Sequence, residues 1–304
     1  MKLPRFRTVL LAPLVLFIAL YLVAIIINIF NQGELPVLES APARHETIAI
    51  FGASGTAGDG ILKAALADPE IQQIRVITRR TTPRIEEGVA SGKVQMTLHQ
   101  DYLDYSVIRE KLPPLDTVYW AIGTSSFGVD EKTYGMIHVD FPVHFISEWI
   151  SAGTKPGSSF HYISSSDISA DSSMMWAREK VRAEQSLFTL AEGANLHVIA
   201  YRPDYIGPTE EEANLGQNLL YWFFKPVGAA VKATQIGQAM IEVTARGSEF
   251  KNGDILSTRK IVRYSDALKK RQALKNELPD RQAKPEANMS SNTEADDAGT
   301  RSRS

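Results

Sequence analysis

No cysteine occurs in the 304 residues, which removes disulfides, thiolate metal sites and cysteine nucleophiles from consideration. Nor is there an excess of one charge. The 33 basic and 35 acidic residues leave a formal net charge of −2, which gives no support to nucleic-acid binding. The six histidines, His45, His99, His138, His144, His161 and His197, are scattered. None makes the close pairing of a helical zinc site, and no metal is expected. A nucleophile elbow and a phosphate loop ending in Lys-Ser/Thr are both missing, so hydrolase and nucleotide triphosphatase readings have no motif behind them. No repeat at solenoid periods is present.

Charge is also missing locally. From Thr8 to Phe30 the chain runs for 23 residues without a charged side chain. A helix of that length rises roughly 35 Å, enough to cross a hydrocarbon core of about 30 Å, and Pro13 falls near its start, where a membrane helix tolerates it. The alternative is a cleaved signal peptide, with a small-residue site in the LESAPA segment around Ser40, although such apolar regions usually run only about 7–15 residues. Lys2, Arg5 and Arg7 precede the span and Glu34 and Glu39 follow it, a bias that points to an amino terminus in the cytoplasm and the remainder across the membrane, with the side of the folded domain left open by the compartment its ligand requires. Aromatic residues stop at Tyr264, and the chain beyond is dominated by Lys, Arg, Glu, Ala and Ser. SDALKKRQALKNEL reads as the start of a helix and the rest as a solvated, disordered extension. The expected division is therefore 1–45 for tail, anchor and linker, 46–265 for one folded domain, and 266–304 for the polar tail.

The folded part opens with a strand, TIAIF, that runs into Gly52-Ala53-Ser54-Gly55-Thr56-Ala57-Gly58 and then into a helical pattern. Strand, glycine turn and helix in register point to a dinucleotide site. Gly52 permits a sharp turn, Gly55 lets backbone approach a pyrophosphate, and Gly58 allows close helix packing, with Ser54, Thr56 and Ala57 presenting N–H groups at the helix start. The next strand, IRVIT, is followed by Arg79 and Arg80 where an NAD-selective site usually carries a carboxylate. Guanidinium groups suit the 2′-phosphate of NADP(H), the expected cofactor, with NAD(H) second. Apolar strands continue to alternate with amphipathic helices, ending at Asp101, at Gly123, at Ser164 to Ser166 and at Arg202. This alternation predicts an α/β fold with a Rossmann-type doubly wound parallel sheet, preceded by one transmembrane helix, with ligands beyond the carboxyl ends of the strands. Asn218 to Val231, NLLYWFFKPVGAAV, reads as a substrate cap or core helix, or else as contact with a membrane or apolar ligand.

FGASGTAG, the paired arginines, AIGTS, HYISSSDIS, Lys180 and YRPDYIGP, in that order, resemble the short-chain dehydrogenase/reductase superfamily. The similarity is greatest to its atypical, Tat-interacting-protein-like branch, and covers roughly Ile48 to Glu242. The resemblance implies an NAD(P)-binding oxidoreductase in which a serine after the fifth strand orients a carbonyl. A tyrosine four residues before a lysine would move the proton, and the lysine would hold the nicotinamide ribose. Ser165 and Lys180 fall at such positions, with Lys180 also a cofactor residue, but Trp176 stands where the tyrosine belongs. An indole N–H has no titratable proton at useful pH. The implied function is a membrane-anchored, NADP(H)-binding oxidoreductase-like protein acting on a small carbonyl or conjugated acceptor with altered proton chemistry. The alternative is a non-catalytic NADP(H)-binding regulator or scaffold with a protein partner.

Overall fold

The uncharged amino-terminal segment forms helix α1 (Phe6–Phe30) in the computed structural model, which describes residues 6–31, 33–38, 46–111 and 115–293. Leu11–Phe30 is apolar enough to cross a membrane by length and composition, and almost all of it is exposed. Residues 39–45 of the expected linker and 294–304 of the expected tail lie outside the described residues.

The glycine-turn unit follows as β1 (Thr47–Phe51) and α2 (Thr56–Ala67), leading to β2 (Gln73–Thr78). Thr82 starts α3 (Pro83–Ala90) by accepting the Ile85 N–H on its hydroxyl, with Pro83 in the first turn where no N–H is needed. After β3 (Val94–Leu98) and β4 (Thr117–Trp120) comes α4 (Glu131–Gly135). It continues through a π-type turn at Met136–Asp140 into α5 (Phe141–Ala152). β5 (Ser158–Ile163), α6 (Met175–Ala191), β6 (Leu196–Arg202) and the short β7 (Tyr205–Gly207) are next. The chain finishes with α7 (Leu215–Phe224), β8 (Ala230–Lys232), α8 (Ala233–Ala245), β9 (Asp254–Ser257) and α9 (Thr258–Thr293).

The main sheet has seven strands in the order β3-β2-β1-β4-β5-β6-β9, every pair parallel. This is a doubly wound Rossmann sheet that reverses direction between β1 and β4, and it bears out the fold read from the sequence. Its central strands are buried on both faces, as their continuous apolar runs require. Ile48, Ile50 and Tyr119 pack with α2, α8 and α9 on one side, and Phe51, Trp120, Phe145 and Phe160 pack with α5 and α6 on the other. Phe51 pairs with both Ile77 and Trp120, Trp120 with Tyr162, and Ile163 with Tyr201. The strand ends are thus level, and the loops after them meet along one edge. β7 and β8 form a separate parallel pair beyond that edge.

Buried charge ties the last two helices to the linker. Glu242, fully buried in α8, accepts from Arg246 Nε and Arg271 Nε, both at 2.9 Å. Arg271 also reaches Glu70 at 2.6 Å, and Arg246 donates to the Pro36 carbonyl in the segment after α1. Ala267, Leu268 and Arg271 are buried, so the domain packs past residue 265 and α9 runs on through what reads as polar tail. Glu242→Ala leaves two guanidinium groups buried without their shared partner. It is expected to destabilise the folded chain by about 3–5 kcal/mol, measured by chemical denaturation of the detergent-solubilised protein.

Candidate functional site

The glycine turn sits at the β1–β4 reversal, and its three glycines are there for different reasons. Gly52 has φ +80°, and a Cβ there would lie 2.6 Å from the Ala121 backbone after β4. Gly58 faces the turn so closely that a Cβ would lie 2.0 Å from the Gly52 carbonyl oxygen. Gly55 differs. Its backbone is extended (φ −103°), and a Cβ would meet only the Gly52 carbonyl oxygen, at an ordinary 3.5 Å. Neither conformation nor packing demands glycine at 55. What remains is close approach by something outside the chain, the condition for a pyrophosphate on backbone N–H groups. No side chain caps the start of α2, so its first N–H groups remain available.

Beside the turn lies a cavity of about 820 Å³ lined in part by Ser54, Gly55, Thr56, Arg80 and Arg84. Arg80 spans it, Nη2 donating to the Ser54 carbonyl at 3.3 Å. Thr78 Oγ1 donates to the Arg80 carbonyl at 2.8 Å and so shapes the turn that aims this side chain. Arg84 is a lining residue that sequence reading missed. Its Nε donates to Asp59 Oδ1 at 2.6 Å, Thr209 Oγ1 donates to Asp59 Oδ2 at 2.8 Å, and Glu211 lies 3.4 Å from Arg84. The Asp59 carboxylate in the first turn of α2 is therefore neutralised locally. Among the lining residues, Arg80 alone is a cation without a carboxylate partner within the described chain. Arg79 does not line the cavity; its carbonyl accepts from Gln100. Asp101 is exposed, and its Oδ1 accepts from the Leu103 N–H, stabilising the turn after β3.

On the other side of the reversal, buried His138 fastens the loop after β4. Its Nε2 lies 3.2 Å from both the N and the O of Thr124, and its ring is so close to Gly123 that a Cβ there would sit 2.9 Å from Cε1. Burial and the charge of Lys180 push the His138 pKa down to about 2, so the ring is neutral. Lys180 is itself buried in α6. Nζ donates to the Ile163 carbonyl at 2.8 Å and to Tyr162 Oη at 3.2 Å. Burial lowers its pKa to about 7, against the opposing charge of Glu184. Two of its three N–H donors are thus engaged, leaving one for a ligand. Tyr162 is fully buried, donates to the His138 carbonyl, and has its phenol pKa raised well above the usual value by burial.

Trp176 is half-buried one helical turn ahead of Lys180, on the same face of α6. Ser165 and Ser166 are half-buried, whereas the Oγ of Ser164 is buried without a partner. An unsatisfied buried hydroxyl calls for an explanation, and a ligand group is one. Sequence alone ranked Ser165 first, because nothing in a run of three serines reveals which hydroxyl the backbone turns inward. Tyr205 donates to the Gln217 carbonyl at 3.2 Å, so it anchors α7 rather than offering a free phenol. Arg202 makes a double ion pair with Glu184, Nε to Oε1 at 2.9 Å and Nη2 to Oε2 at 2.5 Å, which holds α6 against the end of β6.

These strand-end loops and helix starts have the layout of a nucleotide-binding Rossmann protein, and the solved structures with the same architecture agree. A crystal structure of BdcA in complex with NADPH superposes with a TM-score of 0.54 at 15% identity, covering 71% of this chain and 94% of the other. A short-chain dehydrogenase/reductase from Serratia marcescens gives a TM-score of 0.55 at 16% identity, over 71% and 97%. The chain thus shares the Rossmann fold of these proteins, the fold that its motifs imply. By sequence it is similar to the protein fmp52-1, mitochondrial, of Aspergillus terreus, 26% identical over 170 residues, 55% of this chain and 69% of that one. It is also similar to the protein fmp52, mitochondrial, of Emericella nidulans, 26% identical over 195 residues, 63% and 80%. No family model matches the chain.

The glycines provide a paired test. Gly58→Ala is expected to lower both the melting temperature and dinucleotide affinity, because the new methyl meets backbone. Gly55→Ala is expected to leave the melting temperature within about 2 °C and to cut dinucleotide affinity about tenfold or more, read by fluorescence titration. Lys180 gives a pH signature. Between its folded value of about 7 and the ordinary lysine value near 10.4, the unfolded chain holds a proton that the folded chain lacks, so stability from this group rises with pH across that window. The unfolding free energy of the wild type minus that of Lys180→Met should therefore climb from about pH 7 to 9.5; a flat difference would contradict the burial of this ammonium.

Proposed function

We propose that the chain is a membrane-anchored, NADP(H)-binding oxidoreductase-like protein of the short-chain type, with its usual tyrosine proton donor replaced by Trp176. The observation that carries this reading is Gly55, a glycine that the chain's own conformation and packing do not require, beside an uncapped helix start. Arg80 supports NADP(H) over NAD(H), because it projects into the same cavity with no carboxylate to neutralise it. Arg79 and Asp101 would contribute at the rim.

A bound nicotinamide supplies or accepts hydride, and a small carbonyl or conjugated acceptor is the matching substrate class. The chain's own part is to orient and exclude. Ser164 and Ser165 offer hydroxyls at the end of β5, and Lys180 offers its remaining N–H to a ribose hydroxyl. His138 holds the Gly123 loop against the reversal point. Trp176 donates an N–H but no proton at working pH, so the proton would come from solvent, substrate or a residue other than Trp176. α1 would anchor the domain to a membrane. The fungal relatives named mitochondrial direct localisation experiments to mitochondrial membranes.

A second reading, a non-catalytic NADP(H)-binding regulator or scaffold, is favoured by one feature. The phenol bonded to Lys180, that of Tyr162, is sealed in the core and turned towards a backbone carbonyl, away from any substrate. Turnover of NADPH against a panel of carbonyls and quinones separates the two readings; activity that appears only in Trp176→Tyr would identify the natural chain as a binder.

Cofactor choice has its own test. Full-length protein titrated with NADPH and NADH is expected to prefer NADPH. Arg80→Ala should weaken NADPH roughly tenfold to a hundredfold and leave NADH nearly unchanged, the loss of one charge-assisted contact. An equal loss for both nucleotides would remove Arg80 from the 2′-phosphate site.

A further inference from the structure

The foot of α1 is docked against the domain. Asn28, buried although it belongs to an apolar helix, donates Nδ2 to the Pro226 carbonyl at 3.2 Å. Tyr21 Oη donates to the Phe223 carbonyl at 2.6 Å, and the Tyr21 and Phe223 rings stack with centroids 5.3 Å apart. Phe17 stacks on the same phenylalanine at 6.4 Å. The helix climbs roughly 10 Å between Asn28 and Tyr21, so the carboxyl end of α7 lies alongside the span and not beyond it. In keeping with that depth, α7 leaves Leu215, Leu219, Leu220, Trp222 and Phe223 exposed, a surface continuous with the exposed apolar flank of α1.

Where the span ends, a cavity of about 610 Å³ opens between the foot of α1, the turn after α7 and the first turns of α9. Its wall carries Lys225, Arg259, Arg263, Lys269 and Lys270 against only Glu34 and Asp266. Both acids are taken, Glu34 by Lys270 at 2.8 Å and Asp266 by Lys269 at 3.1 Å. Arg263 donates to the Asn31 carbonyl, and Lys225, Arg259 and Arg263 have no carboxylate partner among the described residues. Arg259 lies against the span itself: a Cβ on Gly228 would be 2.3 Å from Asn28 Oδ1 and 3.1 Å from Arg259 Nε. Three cations without acids thus ring a cavity at the level where an apolar helix gives way to polar chain.

We propose that this cavity holds the phosphate of an anionic phospholipid whose acyl chains lie on the apolar flank shared by α1 and α7. The inference rests on reading α1 as a membrane anchor. The cations select a phosphate; the apolar flank directly above selects one that carries hydrocarbon, which a free phosphate ion would leave uncovered. The site is separate from the nucleotide cavity, with which it shares no lining residue.

The test uses the full chain in mild detergent, with phosphatidylglycerol or phosphatidylcholine added and bound lipid counted by native mass spectrometry. Preferential retention of phosphatidylglycerol is expected, falling about fivefold for each of Lys225→Gln and Arg259→Gln, with unchanged melting curves because neither residue makes an ion pair. Equal retention of the two lipids, or a preference untouched by the double variant, would overturn the proposal. So would inorganic phosphate or glycerol 3-phosphate binding as tightly as the lipid, which would make this a site for a soluble ion. Anchoring is read separately, by carbonate extraction from pure phosphatidylcholine vesicles. A chain that washes off those vesicles refutes the anchor reading, while the detergent assay still decides the headgroup site.

Discussion

Crowding of backbone against backbone at the β1–β4 reversal is the constraint on which the site depends. Gly52 turns with a positive φ directly against the Ala121 backbone, and Gly58 brings α2 onto that turn with no room for a methyl group. Only with both contacts made does α2 point its uncapped start across the carboxyl edge of the sheet. The same economy of space recurs on the far side of α2, where Gly60 meets the Ala233 backbone and Gly237 meets Ile61. Helix α2 is thus fixed from both flanks, and the loop carrying Ser54 and Gly55 inherits its position from that packing.

Buried charge serves two purposes in this fold. Around Glu242 it is structural: two arginines converge on one carboxylate, and through Glu70 and Pro36 they bind α8, α9, the turn before β2 and the segment after α1 into one unit. Around Lys180 it is left incomplete. That ammonium faces a carbonyl and a phenol but forms no ion pair among the described residues, and burial pushes its pKa down to about 7. A lysine in that condition is costly to the fold, and costs of this kind gather where a ligand completes the site. The unpartnered Ser164 hydroxyl one residue beyond Ile163 belongs to the same pattern.

Much of this was legible in the chain. The strand–glycine–helix sequence, the alternation of apolar strands with amphipathic helices, and the uncharged run near the amino terminus each have a local period or spacing. Those features led to the parallel sheet and to α1. β9 was missed because DILS offers four residues with an acid at the first, too little to show a period. α9 was read as ending in a polar extension because Arg271 looks like a surface charge until Glu242, 29 residues earlier in the chain, is folded against it. Arg84 was passed over for the same reason, since its partner Asp59 is on another helix.

Composition and spacing alone determined the class of fold, the place of the glycine turn and the absence of thiol chemistry. These are properties of residues or of short segments, and they need no knowledge of what lies opposite. Tertiary structure alone decided which of two arginines enters the cavity, which of three serines turns inward, and that Lys180 is buried against Tyr162. It also decided that the apolar α7 lies along α1 with cations gathered at the foot of that helix. Each of these is set by contacts between segments far apart in the chain. The pairing of distant side chains is fixed by packing, and packing leaves no period in a sequence for the eye to find.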